Sequence, residues 1–230
     1  MIVFCGGMMR AGSTLQYQIA SWVIETAGIG ARHGWASPDH LAGTIAELEK
    51  KPTWHTLKTH LYTGAVAQAL EAERAVALYV HRDLRDVLAS SMLKHNLPFT
   101  NVWASDTLPE AVRNGHLWEK APGVHATRYE ALMDCPEMEV RAIADKLNVR
   151  LGAEAIAGIL RACSLENNLA RVSALPGGQQ YDPGHLMHHR HIGAYRGEVG
   201  EYKRILKPEE IALVSAHYGA WLRNHGYTVG

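Results

Sequence analysis

Three short segments of this chain set cations, hydroxyls and an imidazole at positions where backbone geometry could use them. In Gly6-Gly7-Met8-Met9-Arg10-Ala11-Gly12-Ser13-Thr14-Leu15, a guanidinium and two hydroxyls stand at a glycine-containing turn that leads from an apolar run into a helix-like pattern. Helix N-terminal amides, the helix dipole, both hydroxyls and the planar fork of Arg10 would converge on a phosphate-sized oxyanion. The segment is not GxxxxGK[ST]: Gly12, and not a lysine, precedes Ser13, which disfavours a magnesium-dependent nucleotide hydrolase. A turn of small residues that merely joins strand to helix is the plain alternative.

The second segment, Lys58-Thr59-His60-Leu61, follows another apolar run. In an open α/β sheet the carboxyl ends of strands are where ligands bind. A histidine there, with an ordinary pKa of about 6.5, could take a hydroxyl proton near neutral pH. The chain has 14 histidines, so position alone does not separate His60 from a surface or core residue. The third segment runs from Tyr79 to Ser90. Arg82 ends a strand-like run and Ser90 lies two helical turns further on, so fork and hydroxyl could share a second phosphate. The competing reading pairs Arg82 and Arg85 with Asp83 and Asp86 on a solvated helix start.

These residues need a scaffold, and the periodicities supply one. Met1 to Cys5, Trp54 to Lys58, Ala75 to Val80 and Val124 to Thr127 are short apolar or β-branched runs that read as strands. Ser13 to Gly28 and Thr63 to Glu73 have helical spacing, and so does the stretch after Asp83. Beyond Asn96 the pattern is mostly helical, with Leu108 to Lys120, Pro136 to Leu147, Ala153 to Cys163 and Pro208 to His225. Alternating strands and helices predict parallel βαβ wiring: an α/β, three-layer sandwich with a central, mostly parallel sheet flanked by helices. Residues 28–52 and 93–106 are expected to shape a substrate pocket.

Composition narrows the function classes. At 230 residues, 47% hydrophobic and 20% charged, the chain can bury its own core, and residues 1–230 read as one domain. Its net charge is zero, so no overall field draws it to nucleic acid or to an anionic membrane, and any anion must be met locally. No run reaches the length of a membrane span. Cys5, Cys135 and Cys163 are odd in number and widely spaced, which suits buried, reduced thiols in a cytoplasmic protein.

Taken in order, the three segments resemble the signatures of sulfotransferases that use 3′-phosphoadenosine 5′-phosphosulfate (PAPS). Met9 to Leu15 is similar to that family's phosphosulfate loop, Lys58-Thr59-His60-Leu61 to its catalytic histidine segment, and Tyr79 to Ser90 to its 3′-phosphate motif. Arg128-Tyr129-Glu130-Ala131-Leu132 resembles its RYEDL stretch, and Tyr195 to Lys203 its RKGxxGDWK segment. The resemblance spans nearly the whole chain and implies a P-loop-like fold. It also implies that Arg10, Ala11, Gly12, Ser13, Thr14 and Leu15 cradle the 5′-phosphosulfate, while Arg82, Ser90, Arg196 and Gly197 bind the 3′-phosphate. Tyr129 and Cys163-Ser164-Leu165 would meet the adenine. His60 would be the general base toward a small-molecule hydroxyl or amine, with Arg10 and Lys58 stabilising charge on the transferred group. PAPS would be co-substrate, 3′-phosphoadenosine 5′-phosphate (PAP) the product, and no metal would be needed. Arg10 replaces the lysine usual in cytosolic members. A guanidinium stays protonated and stabilises a leaving oxygen without giving it a proton.

Two other functions stay open on the residues alone: a small-molecule or nucleotide kinase, which shares the physics of a phosphate loop, and a non-catalytic module for a 3′,5′-bisphosphorylated nucleotide. His185, His188, His189 and His191 could suggest zinc, but their Gly- and Pro-rich setting lacks cysteine and helical ligand spacing and reads better as a lid over the acceptor pocket. Trp22, Trp118 and Trp221 sit at helical core positions, whereas Trp35, Trp54 and Trp103 are candidates for the acceptor pocket.

Overall fold

In the computed structural model, which describes residues 1–175, 181–188, 192 and 197–229, the N-terminal apolar run becomes β1 (Ile2–Gly7), buried along its whole length. Ile2 and Phe4 face one hydrophobic core while Val3 and Cys5 face another. A strand covered by helices on both faces requires this two-sided apolar character. β1 is the middle of a five-stranded sheet with β2 (Gly30–Trp35), β3 (Trp54–Lys58), β4 (Ala75–His81) and β5 (His125–Arg128), in the order β2-β3-β1-β4-β5. Every pairing is parallel, with Cys5 opposite Lys58 on one side and Leu78 on the other.

Helices α1 (Ser13–Thr26), α8 (Pro136–Lys146) and α9 (Ala153–Cys163) cover the Val3 face through Tyr17, Ile19, Val23, Ile143 and Ile159. The Phe4 face is covered by α2 (Pro38–Glu49), α3 (Gly64–Glu71), α4 (Leu84–His95), α5 (Phe99–Trp103), α6 (Thr107–Glu119) and α12 (Pro208–Asn224). The remaining helices are α7 (Tyr129–Asp134), α10 (Leu165–Ser173) and α11 (Tyr202–Ile205), and a small hairpin is formed by β6 (Tyr181–Asp182) and β7 (Met187–His188). The expected three-layer α/β sandwich is the architecture found.

Several elements depart from expectation. Residues 28–52 hold an edge strand and a helix. Gly30-Ala31-Arg32-His33-Gly34-Trp35 has two glycines and no aliphatic run, yet pairs with β3 across a register shift between Arg32 and Gly34. Cys135 is exposed, a correction to its expected burial, because it lies at the junction of α7 and α8 where the chain turns outward. Trp54 packs on the α1 side of the core, and Trp103 packs against Phe99, His217 and Tyr218, so neither is a pocket residue. The described part of the histidine-rich segment docks on α1 and β2, where the Gln18 amide donates to the His185 carbonyl and Arg32 to that of Gly184. His189 and His191 lie outside the described residues. Among the described residues no cluster of histidine, cysteine or carboxylate side chains could hold a metal, and no helix is long and apolar enough to cross a membrane.

Candidate active site

The carboxyl ends of β1, β3, β4 and β5 open on one edge of the sheet, and each delivers one of the segments singled out by sequence. After Gly7 the chain turns through Met8 to Gly12. Gly12, at φ 82°, is the N-cap of α1, and the amide of Gln16 donates to its carbonyl. A Cβ at Gly12 would lie 2.6 Å from the Tyr129 ring, so both the backbone angle and the packing demand glycine. Ser13 and Thr14 open the helix with buried side chains. Arg10 adopts φ 66°, unusual for a residue with a side chain, and this turn aims its guanidinium back over α4, where Nε donates to Ser90 Oγ at 3.0 Å.

β3 ends in Lys58, which is buried. Burial and the neighbouring charge of Lys94 lower the pKa of its ammonium to about 8. Lys94, on α4 one turn beyond Ser90, is itself lowered by burial and by Arg10. Arg10 is lowered by burial and by Arg82. Like charges have been gathered at this edge, an arrangement that an anion would relieve.

Two residues on, half-buried His60 is held from both ends. Its Nδ1 lies 2.9 Å from the Gly7 carbonyl oxygen, which can only accept, so Nδ1 carries the proton and Nε2 keeps its lone pair. Lys58 Nζ lies 3.3 Å from Nε2. Burial, followed by the Lys58 charge, lowers the imidazole pKa to about 3, and His60 is neutral at pH 7. Its carbonyl accepts from Asn114 Nδ2 and from the Trp118 indole, which fix the segment. The fully buried Trp118 ring lies flat against β1, where a Cβ on Gly6 would stand 2.6 Å from it. Glycine at position 6 therefore sets the depth of the indole that braces His60.

Arg82 directly follows β4, and the competing reading holds in part: Arg82 pairs with Asp86 and Arg85 with Asp83, but on a buried and not a solvated helix start. The Arg82 guanidinium is buried, donates to the Glu198 carbonyl at 2.8 Å, and pairs with Glu201 at 3.3 Å and Asp86 at 3.4 Å. It lies 4.3 Å over the Tyr129 ring. Asp86 also accepts from the amides of Gly200 and Tyr202, so α4 and Arg82 together anchor the segment that begins at Gly197. Ser90 is brought to Arg10 and not to Arg82. Of the expected 3′-phosphate set, Gly197 lies beside the Tyr129 hydroxyl, which donates to its carbonyl, and Arg196 falls outside the described residues. Cys163 is buried in the core against α1, Ser164 caps α10, and partly buried Leu165 begins it.

A cleft of roughly 180 Å³, partly open to solvent, is lined in part by His60. Met8, Met9, Trp35, Leu61, Glu110 and Asn114 are among its walls. Trp35 is there as expected. The second wall is α6, however, and not residues 93–106. Sequence reading also missed Lys94, which the four-residue step from Ser90 could have revealed, and Asn114 and Trp118, which carry no local signal of their partnership with His60.

The residues expected to hold a 5′-phosphosulfate fit such a group in their chemistry: a helix N-terminus, two hydroxyls and neighbouring cations. Of the residues expected at a 3′-phosphate, Arg82 is committed to two carboxylates, although among the described residues its buried Nε has no hydrogen-bond partner.

The model of the sulfotransferase domain family matches residues 9–226. No curated protein matches the chain. The crystal structure of a mouse sulfotransferase, SULT7A1, complexed with PAP is similar to it with a TM-score of 0.70 at 19% identity, covering 97% of this chain and 85% of that one. Retinol dehydratase with androsterone and PAP gives 0.60 at 15% identity, with coverages of 97% and 80%. The same enzyme with retinol and PAP gives 0.63 at 16%, with coverages of 97% and 81%.

Proposed function

This chain belongs to the sulfotransferase domain family, and from that premise we propose that residues 1–230 form one catalytic domain that transfers a sulfuryl group from PAPS to a hydroxyl or amine of a small-molecule acceptor. The observation that carries the reading is His60: an imidazole with a fixed tautomer, its unprotonated nitrogen 3.3 Å from Lys58 Nζ and its ring on the wall of the cleft. When bound, PAPS supplies an activated sulfuryl group on the oxygen of its 5′-phosphate.

The chain's own residues then divide the work. The amides at the start of α1, the Ser13 and Thr14 hydroxyls, and the loop from Arg10 to Leu15 hold the 5′ end. His60 Nε2 takes the proton of the acceptor as its oxygen or nitrogen approaches sulfur, while Nδ1 keeps its hydrogen bond to Gly7. Arg10 and Lys58, with Lys94 as an additional cation, neutralise charge that develops on the sulfuryl oxygens and the departing phosphate oxygen. With a pKa of about 3, His60 is a weak base in the free protein. Burial is the larger cause of that depression and the Lys58 charge the second, so an anion beside Lys58 offsets only the second and raises the base part of the way. Arg82, Ser90, Arg196 and Gly197 are assigned to the 3′-phosphate, with the free Nε of Arg82 as its donor, and Tyr129 with Cys163-Ser164-Leu165 to the adenine. The cytoplasmic placement expected from the cysteines belongs to the same proposal.

Calorimetric titration with PAP, with ATP and 5′-AMP as competitors, tests the reading alongside sulfuryl transfer in His60→Ala. Tight, 3′-phosphate-dependent binding that survives in the variant while turnover collapses supports it. ATP binding equal to or tighter than PAP would move the kinase reading forward, and unchanged turnover in His60→Ala would remove the assigned base.

A further inference from the structure

The cleft beside His60 contains a carboxylate that the transfer reaction does not use. Its lining is largely apolar, with Met8, Met9, Trp35 and Leu61 beside residues of α6, and no lysine or arginine is among them. Thr107, Glu110, Ala111 and Asn114 recur at three- and four-residue steps, so one face of α6 is turned to the cleft. Glu110 is half-buried on that face, and among the described residues no hydrogen bond or ion pair engages its carboxylate. The nearest basic residue on the helix, exposed Arg113, closes on Asp106 at 2.6 Å and contributes only a screened charge to Glu110.

A carboxylate in a half-apolar wall is costly to cover with a neutral group, because its hydration is lost without compensation. It is more costly still to cover with an anion. A cation turns that cost into an ion pair, and the indole of Trp35 in the same cleft offers a second favourable surface to an ammonium. Glu110 is one helical turn from Asn114, the residue that grips the His60 carbonyl, a rise of about 6 Å along the axis. We propose that the acceptor is an amino alcohol or an aminophenol, whose ammonium group pairs with Glu110 while its hydroxyl, a few bonds away, reaches His60. This inference rests on the sulfotransferase reading above.

The test uses the full chain with PAPS and three matched probe series of three to six carbons: α,ω-amino alcohols, the corresponding alkanols, and the corresponding ω-hydroxycarboxylates. The wild type is expected to prefer the amino alcohols over both other series by about tenfold or more in kcat/KM. Glu110→Gln should bring that ratio to within about twofold, and Glu110→Lys should invert it in favour of the hydroxycarboxylates. Saturation-transfer NMR on the PAP-loaded protein reads the same ratios as binding, independent of turnover. An amino alcohol-to-alkanol ratio near one in the wild type, or a preference that survives Glu110→Gln, overturns the inference. PAP binding measured on the same preparations separates the two claims: PAP bound without ammonium preference sinks this inference alone, and no PAP binding sinks both.

Discussion

Two charged regions meet beside the loop at the end of β1, and they are built on opposite principles. Around Lys58 the neighbours are cations: burial with the charges of Lys94 and Arg10 pushes the Lys58 pKa down, burial with Arg10 that of Lys94, and burial with Arg82 that of Arg10. Around Arg82 the neighbours are carboxylates, and burial pushes the pKa values of Asp86 and Glu201 up. The first region holds excess positive charge and the second excess negative charge. Arginine and lysine at a strand end look alike in a sequence, but the first group is short of counter-charge while the second is paired with carboxylates. The second is also a structural knot that fixes the loop around Gly200 and, among the described residues, leaves only the Nε of Arg82 to meet an anion.

Substitutions can break this contrast. The largest effect is expected at His60, where His60→Ala should lower kcat by about 10²- to 10⁴-fold with PAP affinity nearly unchanged, as steady-state kinetics and calorimetry on one preparation would show. Arg82→Met removes the counter-charge of two buried carboxylates and should cost about 3–5 kcal/mol of stability, measured by urea denaturation. Arg10→Gln should do the reverse, lowering kcat by about 10²-fold and changing stability by less than about 1 kcal/mol, because it also relieves repulsion. If Arg10→Gln proves the more destabilising of the two, the distinction between site and knot is wrong.

A smaller effect follows from Lys58. Its pKa in the free protein is about 8, and a bound anion stabilises the charged form, so the bound-state pKa is higher. Binding is therefore favoured where Lys58 is protonated. PAP affinity should be highest below pH 8, fall as pH rises from 8 toward 10, and be accompanied by proton uptake near pH 8–9, visible in buffers of differing ionisation enthalpy. Smallest of all, Tyr129→Phe loses the hydrogen bond to the Gly197 carbonyl and should cost about 0.5–1.5 kcal/mol of stability.

The parts legible in the sequence are those whose chemistry is local. The run from Ile2 to Cys5, the turn through Gly12 and the spacing from Lys58 to His60 each carry their own periodicity or backbone demand, and they lie where expected. β2 was illegible because an edge strand paired on only one side needs no apolar run, so Gly30 to Trp35 looks like a loop. The pairing of Arg82 and Arg85 with the carboxylates of Asp86 and Asp83 was legible from their spacing, but its burial was not, because the second partner of Arg82, Glu201, lies 119 residues away and no local pattern announces it. The same is true of Asn114 and Trp118, whose role at His60 arises only when α6 is laid over β1. Of the two stretches expected to shape the pocket, 28–52 contributes Trp35, Ala36 and Pro38, whereas the helix that follows 93–106 takes the place of that second stretch.

The backbone at Arg10 has a consequence for anyone who evolves this protein. A left-handed turn costs a residue with a side chain about 1–2 kcal/mol, and glycine would remove that cost at once. A laboratory selection for heat resistance alone would therefore enrich Arg10→Gly and discard the guanidinium that the loop was bent to present. Robustness and turnover compete at this one residue, and a library screened for the first should be rescreened for the second.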